Sequence, residues 1–283
     1  DINNKVLSPL SENGSQRLAT FSPDATKVAF MRDNNLFIKD LKTNEELQFT
    51  HDGKWNHIIN GAPDWVYEEE FGFAQGFYWS LDSKKIAFYR FDESGVKEYN
   101  MQMFNGLYPE DYKFKYPKAG EDNSIVEIFV YDLETGNTTK MNTGEETDIY
   151  FPRIKWTEDA NVLAIQRLNR HQNHLEILAA NATTGETTVF YDETNPYYID
   201  ITDNLNLLKG YYKYIYINKY GYCMDFNNVS SEYVNDIKIS IDRISTSGSN
   251  ILTDLYVYEY FNSGDEKSYY IKLLENSINN KNY

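Results

Sequence analysis

The chain has 283 residues, formal net charge −16, 41% hydrophobic and 16% aromatic content, enough apolar mass for one large domain or two small ones. The acidic balance argues against nucleic acid, whose phosphates need Lys and Arg, and the single cysteine, Cys223, excludes an internal disulfide framework and a thiolate zinc site. No run of 18 apolar residues occurs, so no membrane-spanning helix is expected, and 25 tyrosines suit strands with one half-exposed face.

In chain order, Phe21-Ser-Pro-Asp24 leads into Lys27–Met31, Trp79-Ser-Leu-Asp82 into Lys85–Tyr89, and Trp156-Thr-Glu-Asp159 into Val162–Ile165. Each aromatic stands eight residues before an alanine: Ala29, Ala87 and Ala164. The pattern predicts strand, polar turn, strand, with Ser/Thr and Asp side chains bonding the turn backbone. A further strand follows each unit, from Leu36, Ile128 and Leu175, closing at Thr43-Asn44, Thr135-Gly136 and Thr184-Gly185. A unit recurring at tens of residues is the mark of a β-propeller; a β-sandwich is the rival, and does not require the same three-part unit three times. Ser22, Ser80 and Thr157 are 58 and 77 residues apart, more than the roughly 40–50 of a four-stranded blade, so insertions are expected. One holds Asp64–Phe71 and another runs from Met103 to Asn123. From about Gly210 the unit fades, but Lys213–Asn218, Asp236–Asp242, Asp254–Phe261 and Ser268–Leu274 still read as strands. The expectation is an all-β fold, a β-propeller of four-stranded antiparallel blades, incomplete as it stands, in a single domain over residues 1–283. Starting at Asp1, the chain reads as a mature form or an excised piece.

The stretch Asn60–Phe73 (NGAPDWVYEEEFGF) carries the densest chemistry. Asp64 is a good N-cap for a short helix from Trp65. On a strand Glu69 and Glu70 would face opposite ways; on a helical turn they diverge by about 100° and can approach one cation from two sides. The alternative is an exposed, solvated acidic helix. Trp65, Tyr67 and Phe71 would anchor the insertion. A glycosidase pair is a poorer fit, since its carboxylates flank a bond at about 5–10 Å, and no calcium loop is present. His171 and His174 are three apart but run into a strand without an evident third ligand, so a structural or surface role is expected of them, and no metal site or cofactor is assigned. No G-x-S-x-G elbow occurs; Ser245–Ser249 lacks the pattern.

Asp64–Phe71 (DWVYEEEF) resembles the double-glutamate motif of the dipeptidyl peptidase IV family of prolyl-oligopeptidase-like serine peptidases. Tyr116–Asn123 (YPKAGEDN), Phe21–Phe30 and Trp156–Leu178 resemble further family segments in the same order, from about residue 1 to 208. The resemblance implies an eight-bladed N-terminal propeller, a C-terminal α/β-hydrolase domain, and release of X-Pro or X-Ala dipeptides from free N-termini. Glu69 and Glu70 would then bind the substrate α-ammonium. The family's catalytic serine, aspartate and histidine have no counterpart here, and a substrate-positioning propeller arginine would fall before Asp1, so this chain is expected to be inactive alone. The implied partners are a peptide with a free N-terminus, the hydrolase domain of the same polypeptide and a second copy in a homodimer. The implied location is periplasmic or cell-surface. A non-enzymatic propeller that binds a peptide or protein is the competing reading.

Overall fold

The computed structural model describes Lys5, residues 7–203 and Leu205 with their side chains, and beyond them the backbone of five strands between Asn206 and Tyr256. Blade 1 is an antiparallel sheet of β1 (Arg17–Phe21), β2 (Lys27–Arg32), β3 (Asn35–Asp40) and β4 (Glu46–Gln48), in that order. Blade 2 comprises β5 (Ile58–Asn60), β6 (Phe77–Trp79), β7 (Lys85–Asp92), β10 (Ile125–Asp132) and β11 (Thr138–Lys140). Its first strand is split: β5 and β6 both pair with β7, and helix α1 (Trp65–Glu70) erupts between them. A hairpin of β8 (Glu98–Met103) and β9 (Glu110–Lys115) separates β7 from β10. Blade 3 repeats the plan with β12 (Ile149–Tyr150), β13 (Ile154–Trp156), β14 (Val162–Asn169), β15 (His174–Asn181) and β16 (Thr187–Thr194).

Further along, β17 (Asn206–Leu208), β18 (Lys213–Asn218) and β19 (Gly221–Asp225) form a three-stranded sheet, and β20 (Lys238–Ile244) pairs with β21 (Asn250–Tyr256). The expected strand at Lys213 is found with the same bounds. The expected strand from Asp254 falls within β21, which begins at Asn250, and residues 257–261 of it lie outside the described residues. Ser268–Leu274 lies outside the described residues.

The three aromatics occupy one position. Phe21, Trp79 and Trp156 each stand opposite the residue seven further on, Val28, Ile86 and Leu163. In blades 1 and 2 the turn is closed by a serine hydroxyl: Ser22 and Ser80 each donate to an aspartate two residues on, at 2.6 Å, and accept the N–H of Lys27 or Lys85. Thr157 serves blade 3 by accepting the Asp159 N–H at 3.0 Å. The later turn also repeats, since Asp40, Asp132 and Asn181 each accept two backbone N–H groups through one side-chain oxygen. The residue four on takes a positive φ in every case: Asn44, Gly136 and Gly185. Blades are joined by the same aromatics. The indole of Trp79 donates to the Thr20 carbonyl (3.2 Å) and that of Trp156 to the Tyr78 carbonyl (2.9 Å), each acceptor being the residue before the preceding blade's aromatic. Trp79 and Trp156 are therefore buried, whereas Phe21 is 64% exposed, with no described blade on its outer side.

Strand β7 reads as a nearly continuous apolar run because both its faces are covered. Ile86 and Phe88 pack with Ala29, Met31 and Leu36 of blade 1, while Ala87, Tyr89 and Phe91 pack with Ile154, Leu163 and Ile165 of blade 3. Gly61 sits where the chain leaves the ladder. Its φ is +82°, and a Cβ there would lie 2.4 Å from the buried Leu36 Cδ2. Gly61→Ala should cost about 2–4 kcal/mol by urea denaturation, combining left-handed strain with overpacking. Gly72→Ala, at φ +68° with open space around it, should cost only the strain, about 1–2 kcal/mol. Equal losses would contradict the steric part of this account.

Candidate functional site

The α1 insertion begins and ends on one backbone site. The N–H of Gly61 donates to the Tyr89 carbonyl, Gly76 N–H to Gly61 O, and Tyr89 N–H to Gly76 O, all at 2.9 Å. Within it, Asp64 caps the helix as its sequence predicts: its Oδ1 accepts the Tyr67 N–H at 3.0 Å. Gly72, with positive φ just past the last helical turn, ends it.

Three contacts fix the helix to the scaffold. Ser124, buried just before β10, donates its hydroxyl to Asp64 Oδ2 at 2.6 Å. The Tyr67 hydroxyl accepts the Phe151 N–H of blade 3 at 2.9 Å, and its ring packs against Phe71, Phe73, Tyr89, Phe91 and Tyr150. The Trp65 ring lies 4.2 Å from that of Tyr116, at the base of the β8–β9 hairpin. The helix thus sits over the junction of blades 2 and 3, and the anchoring expected of Trp65, Tyr67 and Phe71 is present.

Glu68, Glu69 and Glu70 are all exposed, and none of their carboxylates has a hydrogen bond or ion pair among the described residues. Glu69 and Glu70 occupy the last turn, where the helix dipole is negative and no basic residue balances it. This placement runs against helix preference; packing and the Asp64 cap hold the helix instead. A rigid mount presenting two uncompensated carboxylates can accept a cation with several donors.

Beneath the helix lies a group that the sequence reading missed. Glu93 follows β7 and is only 6% exposed, as is Asp64. Burial, reinforced by the nearby Asp64 charge, pushes the Glu93 carboxyl up to about 7; Lys115 opposes this and Asp92 adds to it. Burial likewise raises Asp64, against the stabilising hydrogen bonds from Ser124 and from the Tyr67 and Val66 N–H groups. In the sequence Phe91-Asp-Glu-Ser-Gly95 reads as a solvated turn, and no local signal marks Glu93 as buried. The lysine that faces it, Lys115, donates to the Val96 carbonyl at 2.7 Å.

The β8–β9 hairpin carries exposed apolar side chains at its tip, with Phe104 73% exposed and Leu107 and Tyr108 more so. His51, His57 and His171 are exposed.

The fold has counterparts in known proteins. Residues 1–265 match the model of the family described as dipeptidyl peptidase IV (DPP IV) N-terminal region. The chain belongs to the dipeptidyl peptidase IV family. The crystal structure of Porphyromonas gingivalis dipeptidyl peptidase 4 is similar over 90% of this chain and 38% of that one, at 36% identity and a TM-score of 0.76. Among curated relatives, a protein named probable dipeptidyl-aminopeptidase B from Phaeosphaeria nodorum is 35% identical over 208 residues, 66% of this chain and 23% of that protein. Its namesake from Talaromyces marneffei is 33% identical over 207 residues, again 66% and 23%. The match thus spans about a quarter of these relatives' length. The dipeptidyl peptidase 4 likeness agrees with the all-β, four-stranded-blade expectation; the described sheets do not close a ring.

Proposed function

We propose that this chain is the substrate-recognition propeller of a dipeptidyl peptidase IV-like serine exopeptidase that releases X-Pro and X-Ala dipeptides from peptide N-termini. Glu69 and Glu70 bind the substrate α-ammonium. The observation that carries this reading is the pair of unpartnered carboxylates at the end of a helix fixed on three sides.

A free N-terminus keeps its positive charge up to a pKa of about 7.7–8.0. Two carboxylates take two of its three protons in charge-assisted bonds. An acylated or internal nitrogen has no such charge, so the pair acts as a ruler: it fixes the N-terminus and leaves the second peptide bond at the nucleophile. Holding the reactants in this way can lower a barrier by about 7 kcal/mol or more. Calorimetric titration of the chain with an Ala-Pro tripeptide and its N-acetylated form tests the clamp. The free peptide should bind more tightly, and Glu69→Gln with Glu70→Gln should erase the difference. Equal binding of both peptides by the unaltered chain would sink the reading.

The nucleophile belongs to a hydrolase domain on the same polypeptide. This chain alone should therefore release no chromophore from an X-Pro anilide; turnover proportional to chain concentration, in a preparation free of other peptidases, would refute this. The exposed tip of the β8–β9 hairpin supports pairing with a second copy in a homodimer. Periplasmic or cell-surface placement belongs to the same proposal and is checked by fractionation.

A further inference from the structure

We propose that His174, Glu176 and Asp192 form a binding site for a divalent transition-metal ion of the zinc class on the outer strands of blade 3. His174 and Glu176 are two apart on β15, so both side chains leave the same sheet face. Asp192 on β16 stands directly across from Glu176 and adds a third group to that face. One ligand atom from each residue lies within 4.8 Å of the others. Ligands about 2.1 Å from one tetrahedral zinc ion are about 3.4 Å apart, so closing the site takes side-chain displacements on the order of 1 Å. In sequence the nearest histidine to His174 is His171, and no metal site was expected of that pair; the fold instead brings Glu176, two positions along β15, and Asp192 on the facing strand beside it.

The donor set is more than an acidic surface. A neutral imidazole with two carboxylates suits zinc or a similar first-row ion, whereas calcium and magnesium favour oxygen alone. Outer support is built in. Arg167 donates from Nε and Nη2 to the same Glu176 oxygen, Oε2, at 2.8 and 2.7 Å, which orients the carboxylate and leaves Oε1 for an ion. The Thr143 carbonyl holds Arg167 in turn at 2.7 Å. The His174 backbone N–H donates to Asn169 Oδ1 at 3.0 Å, fixing the start of the strand. Such outer partners are what keep metal ligands in place. His174 and Asp192 are partly open to solvent, which gives an entry path and leaves coordination positions for water. Without an ion, His174 Nε2 lies 3.1 Å from Asp192 Oδ2. Metal binding replaces that contact with two bonds to the ion. Any proton on the coordinating nitrogen goes to water, so affinity must fall in acid. Two carboxylates and one guanidinium leave a formal −1 to meet the ion's +2.

This site does not depend on the ammonium clamp, and calorimetry on the chelator-treated chain tests it with Zn2+ and, for comparison, Mg2+. Saturable zinc binding without a matching magnesium event is expected. His174→Gln and Asp192→Asn should each weaken it by at least the ~10–100-fold that loss of an outer partner alone costs. His171→Gln should change nothing. Co2+ should give visible absorption bands that vanish in His174→Gln. Both altered side chains are substantially exposed, and unchanged far-ultraviolet circular dichroism would establish that the variants fold. Absence of saturable zinc binding, or binding equally tight in His174→Gln, would overturn the assignment.

Discussion

Glu69→Gln or Glu70→Gln, made in a polypeptide that also carries the hydrolase domain, should lower kcat/KM on a free dipeptidyl substrate by about 10–150-fold. Each substitution removes one charge-assisted bond of about 1.5–3 kcal/mol. Glutamine keeps the length and polarity of the side chain, and both positions are exposed, so stability should hardly move. Removing a carboxylate from the negative end of α1 should even relieve it slightly. The loss should therefore appear in kinetics alone. Glu68→Gln is the internal control, because its side chain leaves the first turn in another direction. An N-acetylated substrate should be refractory to every form. If Glu68 proves the most damaging of the three, or the acetylated substrate is cleaved as fast as the free one, the run is a solvated helix.

The second large effect concerns pH. The Glu93 carboxyl ordinarily titrates at 4.5 and is pushed up to about 7 in the fold. Below the lower value both folded and unfolded chains hold the proton, and the group contributes nothing. Between the two values the unfolded chain has lost the proton while the folded chain still holds it, so stability falls as pH rises. Above 7 the folded protein carries the whole cost of a buried carboxylate, about 3 kcal/mol from the two pKa values. Glu93→Gln removes the ionisation. Its stability relative to the parent should rise between pH 5 and pH 8 by about 2–2.5 kcal/mol. The comparison cancels the general repulsion of a chain at net charge −16. Urea denaturation at the two pH values reads it directly, and a variant-minus-parent difference that is the same at both would mean that Glu93 is solvated. Asp64→Asn should shift the same profile toward acid, since the Asp64 charge helps to raise Glu93.

Local rules made much of this legible. The Ser/Thr-x-x turns, the aromatic eight residues before alanine and the Asp64 cap each depend on residues a few positions apart, and each is present in the fold. The insertion that carries Glu69 and Glu70 was legible for the same reason: an N-cap and three anchoring rings stand within eight residues. What sequence could not reveal depends on distant pairing. Ser124 meets Asp64 across 60 positions, and Glu93 is buried close to Asp64 and Lys115, 29 and 22 positions away in the chain. Phe21 has the same register as Trp79 but not its burial, because burial depends on the adjoining blade rather than on the strand itself.

Blade 3 has the same interruption in its first strand as blade 2, filled by three residues, Phe151–Arg153, instead of a helix. Gln166 N–H donates to the Arg153 carbonyl there, as Tyr89 N–H donates to Gly76. The break is therefore part of the repeating frame, and lengthening the chain at that point sacrifices no ladder bond. In evolutionary terms it is a permissive graft site, where a recognition element can be acquired, resized or exchanged by insertion while the blade beneath inherits its register unchanged.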